Sequence, residues 1–184
     1  MRDTNIFFVG PASVGKSTTG KLLAKRLNFK FVDVDKEFCK RIALIPDFVK
    51  LHGYTEYCET NSILVDELLN EHPTSTIFAT PSGFLVHEQS PHLVKKHLEL
   101  ISRFISVLLL PGKDPQEYVD LIVQRQLNRW TDCDEENERN RFLSRFEKYK
   151  RYGDIKVYSV EKSEVIVSKI IKQLQTRKKQ PRRG

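Results

Sequence analysis

The chain has 184 residues, 39% of them apolar and 30% charged, which suits one α/β domain with a proper core. No apolar run reaches the roughly 18 residues of a membrane span, and the three cysteines, Cys39, Cys58 and Cys133, lack metal-ligand spacing and leave one thiol over in any pairing. Five cations of the final eight residues (Arg177, Lys178, Lys179, Arg182, Arg183) account for most of the net charge of +7, which without them falls to +2.

These features set the first expectations. A cytoplasmic protein with reduced thiols is expected, because no signal-peptide pattern precedes the first strand. Residues 176–184 read as a basic, disordered tail. The tail is compatible with a contact to nucleic acid or anionic lipid, and equally with a solubilising role, so no nucleic-acid or membrane partner is assigned. A monomer is expected.

In chain order, residues 5–9 (NIFFV) read as a buried strand. The turn Gly10-Pro11-Ala12-Ser13-Val14-Gly15-Lys16-Ser17 comes after it, and then a helix over 17–27 with Leu22, Leu23, Ala24 and Leu27 on one face. Residues 30–35 read as a second strand ending in Asp33 and Asp35. A short helix opens at 35–38, another spans 46–52 with Pro46 at its first position, and a longer one spans 54–70. Residues 76–80 form a third strand, stopped by Pro81-Ser82-Gly83. A helix over 90–100, an apolar strand over 104–110 and a helix from Asp114 to about Arg129 come next. Residues 130–138 carry five acids and read as an exposed mobile segment. A helix over 139–152, a strand over 155–160 and a helix over 163–175 complete the domain. Alternating strands and helices with right-handed crossovers predict a five-stranded parallel sheet with helices on both faces.

The segment from Gly10 to Ser17 fits G-x-x-x-x-G-K-[ST] in full, between a strand and a helix, where the pattern has physical meaning. Its backbone N–H groups, those of Gly10, Ala12, Ser13, Val14, Gly15 and Thr18 among them, suit a polyphosphate at a helix N-terminus. Lys16 suits the β- and γ-phosphates and the Ser17 hydroxyl suits Mg²⁺, so ATP and Mg²⁺ are the expected cofactors. Such a sheet binds its ligands at the carboxyl ends of its strands. Asp33 and Asp35 lie there, sharing a face if the strand runs through both. One suits the metal side and the other an acceptor hydroxyl; alternatively they are two solvated acids at a helix start. Arg125 and Arg129 stand four apart before the acidic segment, and Arg139, Arg141 and Arg145 come after it. That arrangement suits a lid, or equally a surface helix.

The stretch GPASVGKSTTGKLLAKRLNFKFVDVD closely resembles the start of shikimate kinases. The later segments are similar in their order too: IPDFVKLHG, a long helix, a strand ending AT-x-x-G, a lid between arginines and R-x-x-x-Y-x-x-x-G-D. The resemblance implies a P-loop kinase of the nucleoside monophosphate kinase-like class, with a lid at about 130–138 and substrate-binding helices at about 35–70. It implies a single domain over 1–175 and ATP-dependent phosphorylation of a small-molecule hydroxyl, shikimate to shikimate 3-phosphate, in aromatic amino acid biosynthesis. It further implies Lys16, Asp35 and Arg129 as catalytic residues and Arg125 as an adenine-side contact. Ser17 and Asp33 fall on the metal side, and Asp35, Gly83, Arg145 and Tyr57 at the acceptor.

The departures cluster at that acceptor. Where the family has Phe-Arg-x-x-Glu, this chain has Tyr57-Cys58-Glu59-Thr60-Asn61, and its triple glycine is Pro81-Ser82-Gly83. A lost arginine removes charge-assisted hydrogen bonds of roughly 1.5–3 kcal/mol each. Lys50, Arg103, Lys95 and Lys96 are the candidates to replace it. The alternatives are a kinase for another small hydroxy-compound, or a catalytically silent nucleotide-binding regulator. Cys58 reads as a small apolar filler, and His52, His72, His87, His92 and His97 have no ligand spacing.

Overall fold

The computed structural model describes residues 4–128 and 134–178. Five strands pair in parallel in the order β2-β3-β1-β4-β5. They are β1 (Ile6–Val9), β2 (Lys30–Asp33), β3 (Thr76–Ala79), β4 (Ile105–Leu110) and β5 (Ile155–Tyr158). Helices α1 (Lys16–Leu27), α2 (Val34–Arg41), α3 (Ile45–His52), α4 (Tyr54–Glu71), α5 (Pro91–Ile101), α6 (Val119–Leu127), α7 (Glu135–Tyr149) and α8 (Ser163–Lys178) flank the sheet. This is the fold that the alternation of elements predicts.

β1 lies between β3 and β4 with Ile6, Phe7, Phe8 and Val9 fully buried, so its apolar run faces protein on both sides. Phe7 stacks on Phe78 with ring centroids 4.9 Å apart and meets Phe104 at 5.4 Å. Asn5 fastens the start of the sheet: its Nδ2 donates to the carbonyls of His72 and Pro73 at 3.0 and 3.2 Å, and its Oδ1 accepts from Thr76 N at 3.0 Å.

The structure corrects four boundaries. β2 ends at Asp33, so Asp35 sits on α2 and the two acids do not share a strand face. Asp114 does not cap a helix: its Oδ1 accepts from Gln116 N at 2.9 Å in a turn, and α6 begins only at Val119. In the expected mobile segment, Asp134 caps α7 by accepting from Asn137 N at 2.8 Å, and residues 135–138 are helical. Their acids suit the positive end of a helix as well as they suit a loop. Residues 130–133 lie outside the described residues.

The fourth boundary concerns the tail. α8 continues to Lys178, and Arg177, counted with the tail by composition, donates to Asp154 O and Asp154 Oδ1, both at 2.8 Å. The other oxygen of Asp154 accepts from Ser106 N and Oγ at 2.9 and 2.8 Å, so Arg177 ties α8 to the start of β4. Residues 179–184 of the expected tail lie outside the described residues.

Replacing Asn5 with Ala strands two backbone carbonyls and one N–H at the foot of the sheet. We predict a loss of about 2–4 kcal/mol, read as a lower urea midpoint with an unchanged slope.

Candidate active site

The turn leaving β1, the end of β2 and the turn leaving β3 open on one cleft of about 1150 Å³ at the carboxyl edge of the sheet. The first turn can make its curve because Gly10 has φ +142°, and a Cβ there would stand 2.5 Å from Leu109 O. Ala12, Ser13, Gly15, Lys16, Ser17 and Thr18 line the cleft. Gly10 and Val14 do not: Gly10 sits at the foot of the turn and Val14 is buried in the core. Lys16 Nζ donates to Gly10 O at 2.8 Å and Pro11 O at 2.6 Å, which folds the lysine back over its own turn. Ser13 Oγ donates to Gln126 Oε1 at 2.6 Å and joins the turn to α6. Arg125, the neighbour of Gln126, also lines the cleft. Arg129, the expected lid arginine, lies outside the described residues.

Asp33 is the N-cap of α2. Its Oδ1 accepts from Lys36 N at 3.3 Å, and its buried Oδ2 has no hydrogen-bond partner among the described residues. A buried carboxylate oxygen left unpaired is costly, and a cation or its bound water would satisfy it. Among the described residues no group of three His, Cys, Asp or Glu side chains could hold a metal ion. Ser17 and Asp33 would therefore supply part of a shell and nucleotide phosphates the rest, which fits magnesium.

The acceptor end is built by α4, α7 and the turn after β3. Tyr57 OH donates to Asp35 Oδ1 at 3.0 Å, and Asn61 Nδ2, one helical turn on, donates to Tyr57 OH at 3.2 Å. Arg145 reaches in from α7. Its NH1 donates to Ser82 Oγ at 2.7 Å and its NH2 to Tyr54 OH at 2.9 Å, while Tyr149 OH donates to Ser82 O at 3.2 Å. Ser82 is therefore a built partner of Arg145, where the sequence shows only a lost glycine. Gly83 keeps a tight approach, since a Cβ would stand 2.5 Å from Tyr54 OH.

The groups here are mostly neutral. Burial pushes the Cys58 thiol up to about 12, and its Sγ lies 3.3 Å from His87 Nδ1. Burial, His97 and Arg145 together hold His87 down at about 4. Burial, with the Asp35 charge second, raises Tyr57 well above the usual phenol range, and burial raises Tyr54 as well. Of the proposed replacement cations, Lys96 is committed to Asp66 at 2.7 Å and to Ser62 Oγ at 2.9 Å, and Arg103 lies over the Phe104 ring at 5.7 Å. Neither of these lines the cleft, nor do Lys50 and Lys95; Lys36 and Lys40 of α2 do.

Tyr54 and His87 were not expected at the cleft, Ser82 was expected only as a departure, and Arg141, expected only as a lid arginine, faces the cleft paired with Glu138. Tyr54 carried a legible signal, since it precedes Tyr57 and Cys58 by three and four residues and so shares their helical face. Glu138 and Arg141 are three apart on α7, a spacing equally legible once that helix is extended back to Glu135, whereas Ser82 and His87 reach the cleft only through the fold.

The class is defined by a P-loop turn and two acids at the edge of a five-stranded parallel sheet: a P-loop kinase. The shikimate kinase family pattern matches residues 12–175, and the chain belongs to that family. A shikimate kinase from Sulfurihydrogenibium sp. is 31% identical over 98 residues, 53% of this chain and 58% of that enzyme. The pentafunctional AROM polypeptide of Komagataella phaffii is 28% identical over 144 residues, 71% of this chain. The chain thus spans just over half the length of the one relative and only 9% of the other. The crystal structure of the Aquifex aeolicus shikimate kinase superposes with a TM-score of 0.71 and 26% identity, covering 96% of this chain and 99% of that one.

His97 tests the burial of this end. Its Nδ1 donates to Phe84 O at 2.8 Å, its Nε2 accepts from Ser62 Oγ at 3.0 Å, and burial, outweighing the Phe84 hydrogen bond, lowers it to about 4 from the ordinary 6.5. The unfolded chain takes up its proton near 6.5 and the folded chain only near 4, so stability is full above 6.5 and falls as the pH drops through that window. Urea midpoints measured from about pH 7 to about pH 4 should fall, and His97→Asn should flatten the fall.

Proposed function

We propose that this chain transfers the γ-phosphoryl group of ATP to a hydroxyl of a small acceptor, with shikimate as the acceptor that its family implies. The observation that carries the reading is convergence: the phosphate-binding turn, Asp33, Asp35 and Arg145 all face one cleft. The turn's N–H groups and Lys16 bind the polyphosphate, and Arg125 lies on the nucleotide side. Magnesium held at Ser17 and Asp33 supplies charge neutralisation at the phosphates. Asp35 holds the acceptor hydroxyl and receives its proton. The acceptor oxygen forms a new bond to the γ-phosphorus as the bond to the β,γ-bridging oxygen breaks, and ADP leaves with that electron pair. Lys16 meets the charge that develops there, and Arg129 is proposed to do the same from the lid. Arg145 grips the acceptor's acid group.

A second reading, a different small hydroxy-compound in the same site, is favoured by one observation: Cys58, buried as a neutral thiol, stands where the family's motif has arginine. Free Cys39 and Cys58 agree with a cytoplasmic enzyme. Among the described residues no helix is long and apolar enough to cross a membrane.

The test is ADP release from Mg·ATP with and without shikimate. Shikimate-dependent release that falls by about 10²–10⁴ in Asp35→Asn, with ATP binding retained, supports the reading. ATP binding with no response to shikimate contradicts the acceptor, and a screen of other hydroxy-compounds then decides between a kinase and a silent regulator.

A further inference from the structure

Two of the departures from the family motif, Tyr57 and Asn61, are joined in one hydrogen-bond chain that ends on Asp35. We infer that Tyr57 positions the Asp35 carboxylate, and that Asn61 Oδ1 accepts a hydrogen bond from a hydroxyl of the acceptor and so helps determine which acceptor is used. The inference rests on the phosphotransfer reading above.

The geometry leaves each group one role. The Tyr57 ring is held edge-on against Phe38, with centroids 5.0 Å apart at 67°, and Phe38 is itself fully buried on α2 one turn beyond Asp35. The ring therefore cannot swing, and its hydroxyl has a single proton to give. That proton goes to Asp35 Oδ1, which fixes the rotation of the carboxylate and leaves the Tyr57 oxygen to accept. Asn61 Nδ2 fills the accepting position, and this assigns the amide orientation. Asn61 Oδ1 then points away from Tyr57.

That oxygen is the second observation. Asn61 is 4% exposed and lines the cleft, and its Oδ1 has no hydrogen-bond partner among the described residues. Buried amide oxygens in folded proteins are nearly always paired. An amide oxygen accepts and cannot donate, so its complement is a hydroxyl or N–H group, and a carboxylate is rejected. The same cleft is lined by a protonated Cys58 thiol and a neutral His87. The class of acceptor this end favours is a small polyhydroxy compound, an acid group on it going to Arg145.

The test is a cycle between enzyme and acceptor, using the full chain with shikimate and its 4-deoxy and 5-deoxy analogues. Mg·ATP affinity is measured for each variant as the check on folding. Asn61→Ala should raise KM for shikimate about tenfold with kcat nearly unchanged. With whichever deoxy analogue lacks the contacted hydroxyl, the same substitution should have no effect. Tyr57→Phe should lower kcat about tenfold with little change in KM, because it loosens Asp35 and leaves the acceptor contact in place. An Asn61→Ala variant with an unchanged KM, or with the same penalty for all three acceptors, overturns the role of Asn61. A Tyr57→Phe variant with wild-type kcat overturns that of Tyr57. A wild type that turns over no shikimate contradicts shikimate as the acceptor, and with it the hydroxyl contact assigned to Asn61, a failure separable from the other two because it precedes any substitution.

Discussion

Strand β1 pairs with β3 on one side and β4 on the other, so the turn that leaves it opens at the centre of the sheet's carboxyl edge. The ends of β2 and β3 open on the same edge because every pairing is parallel. Gly10 lacks the Cβ that would stand 2.5 Å from Leu109 O, which lets the turn curl there without a clash. The glycine-rich turn after β1, a buried acid at Asp33 and the Pro81–Gly83 turn are thereby brought to one cleft. The arrangement depends on the apolar β1 residues being buried on both faces, which makes chemistry at this edge a consequence of the core.

The two halves of the cleft are built on different physical terms. The proposed nucleotide half offers backbone N–H groups, Lys16 and a buried Asp33 oxygen with no hydrogen-bond partner among the described residues. The acceptor half relies on aromatic and neutral groups packed tightly enough to suppress ionisation of Tyr57, Cys58 and His87. Arg145 crosses that neutral ground and is preorganised by Ser82 and Tyr54. Such an arrangement suits hydroxyls read by hydrogen-bond direction and an acid group met by the Arg145 guanidinium through charge-assisted bonds.

Elements governed by apolar period or by turn chemistry were legible in the sequence. The nearly all-apolar β4, the glycine-rich turn and Pro46 near the start of α3 fall within a residue or two of their expected places. What escaped was decided by partners distant in the chain. Arg177 looks like tail until Asp154 is beside it, and Asp114 looks like a cap until its carboxylate is seen to close a local turn. The acids of 134–138 fit a loop and a helix start equally well in composition. Lys96 was a reasonable replacement cation by charge alone, yet Asp66 and Ser62 hold it behind the site. Tyr57 was expected at the acceptor and Asn61 stood out only as a departure, while their shared chain to Asp35 depends on how α2 and α4 pack.

The central claim is that the cleft joins ATP to a hydroxyl acceptor, and ³¹P NMR of a reaction containing enzyme, Mg·ATP and shikimate tests it most directly. The account predicts that the γ-phosphate signal is replaced by ADP and a new phosphomonoester resonance scalar-coupled to a ring proton of the acceptor. ATP signals that persist unchanged, or that give way to ADP and inorganic phosphate alone, would contradict it.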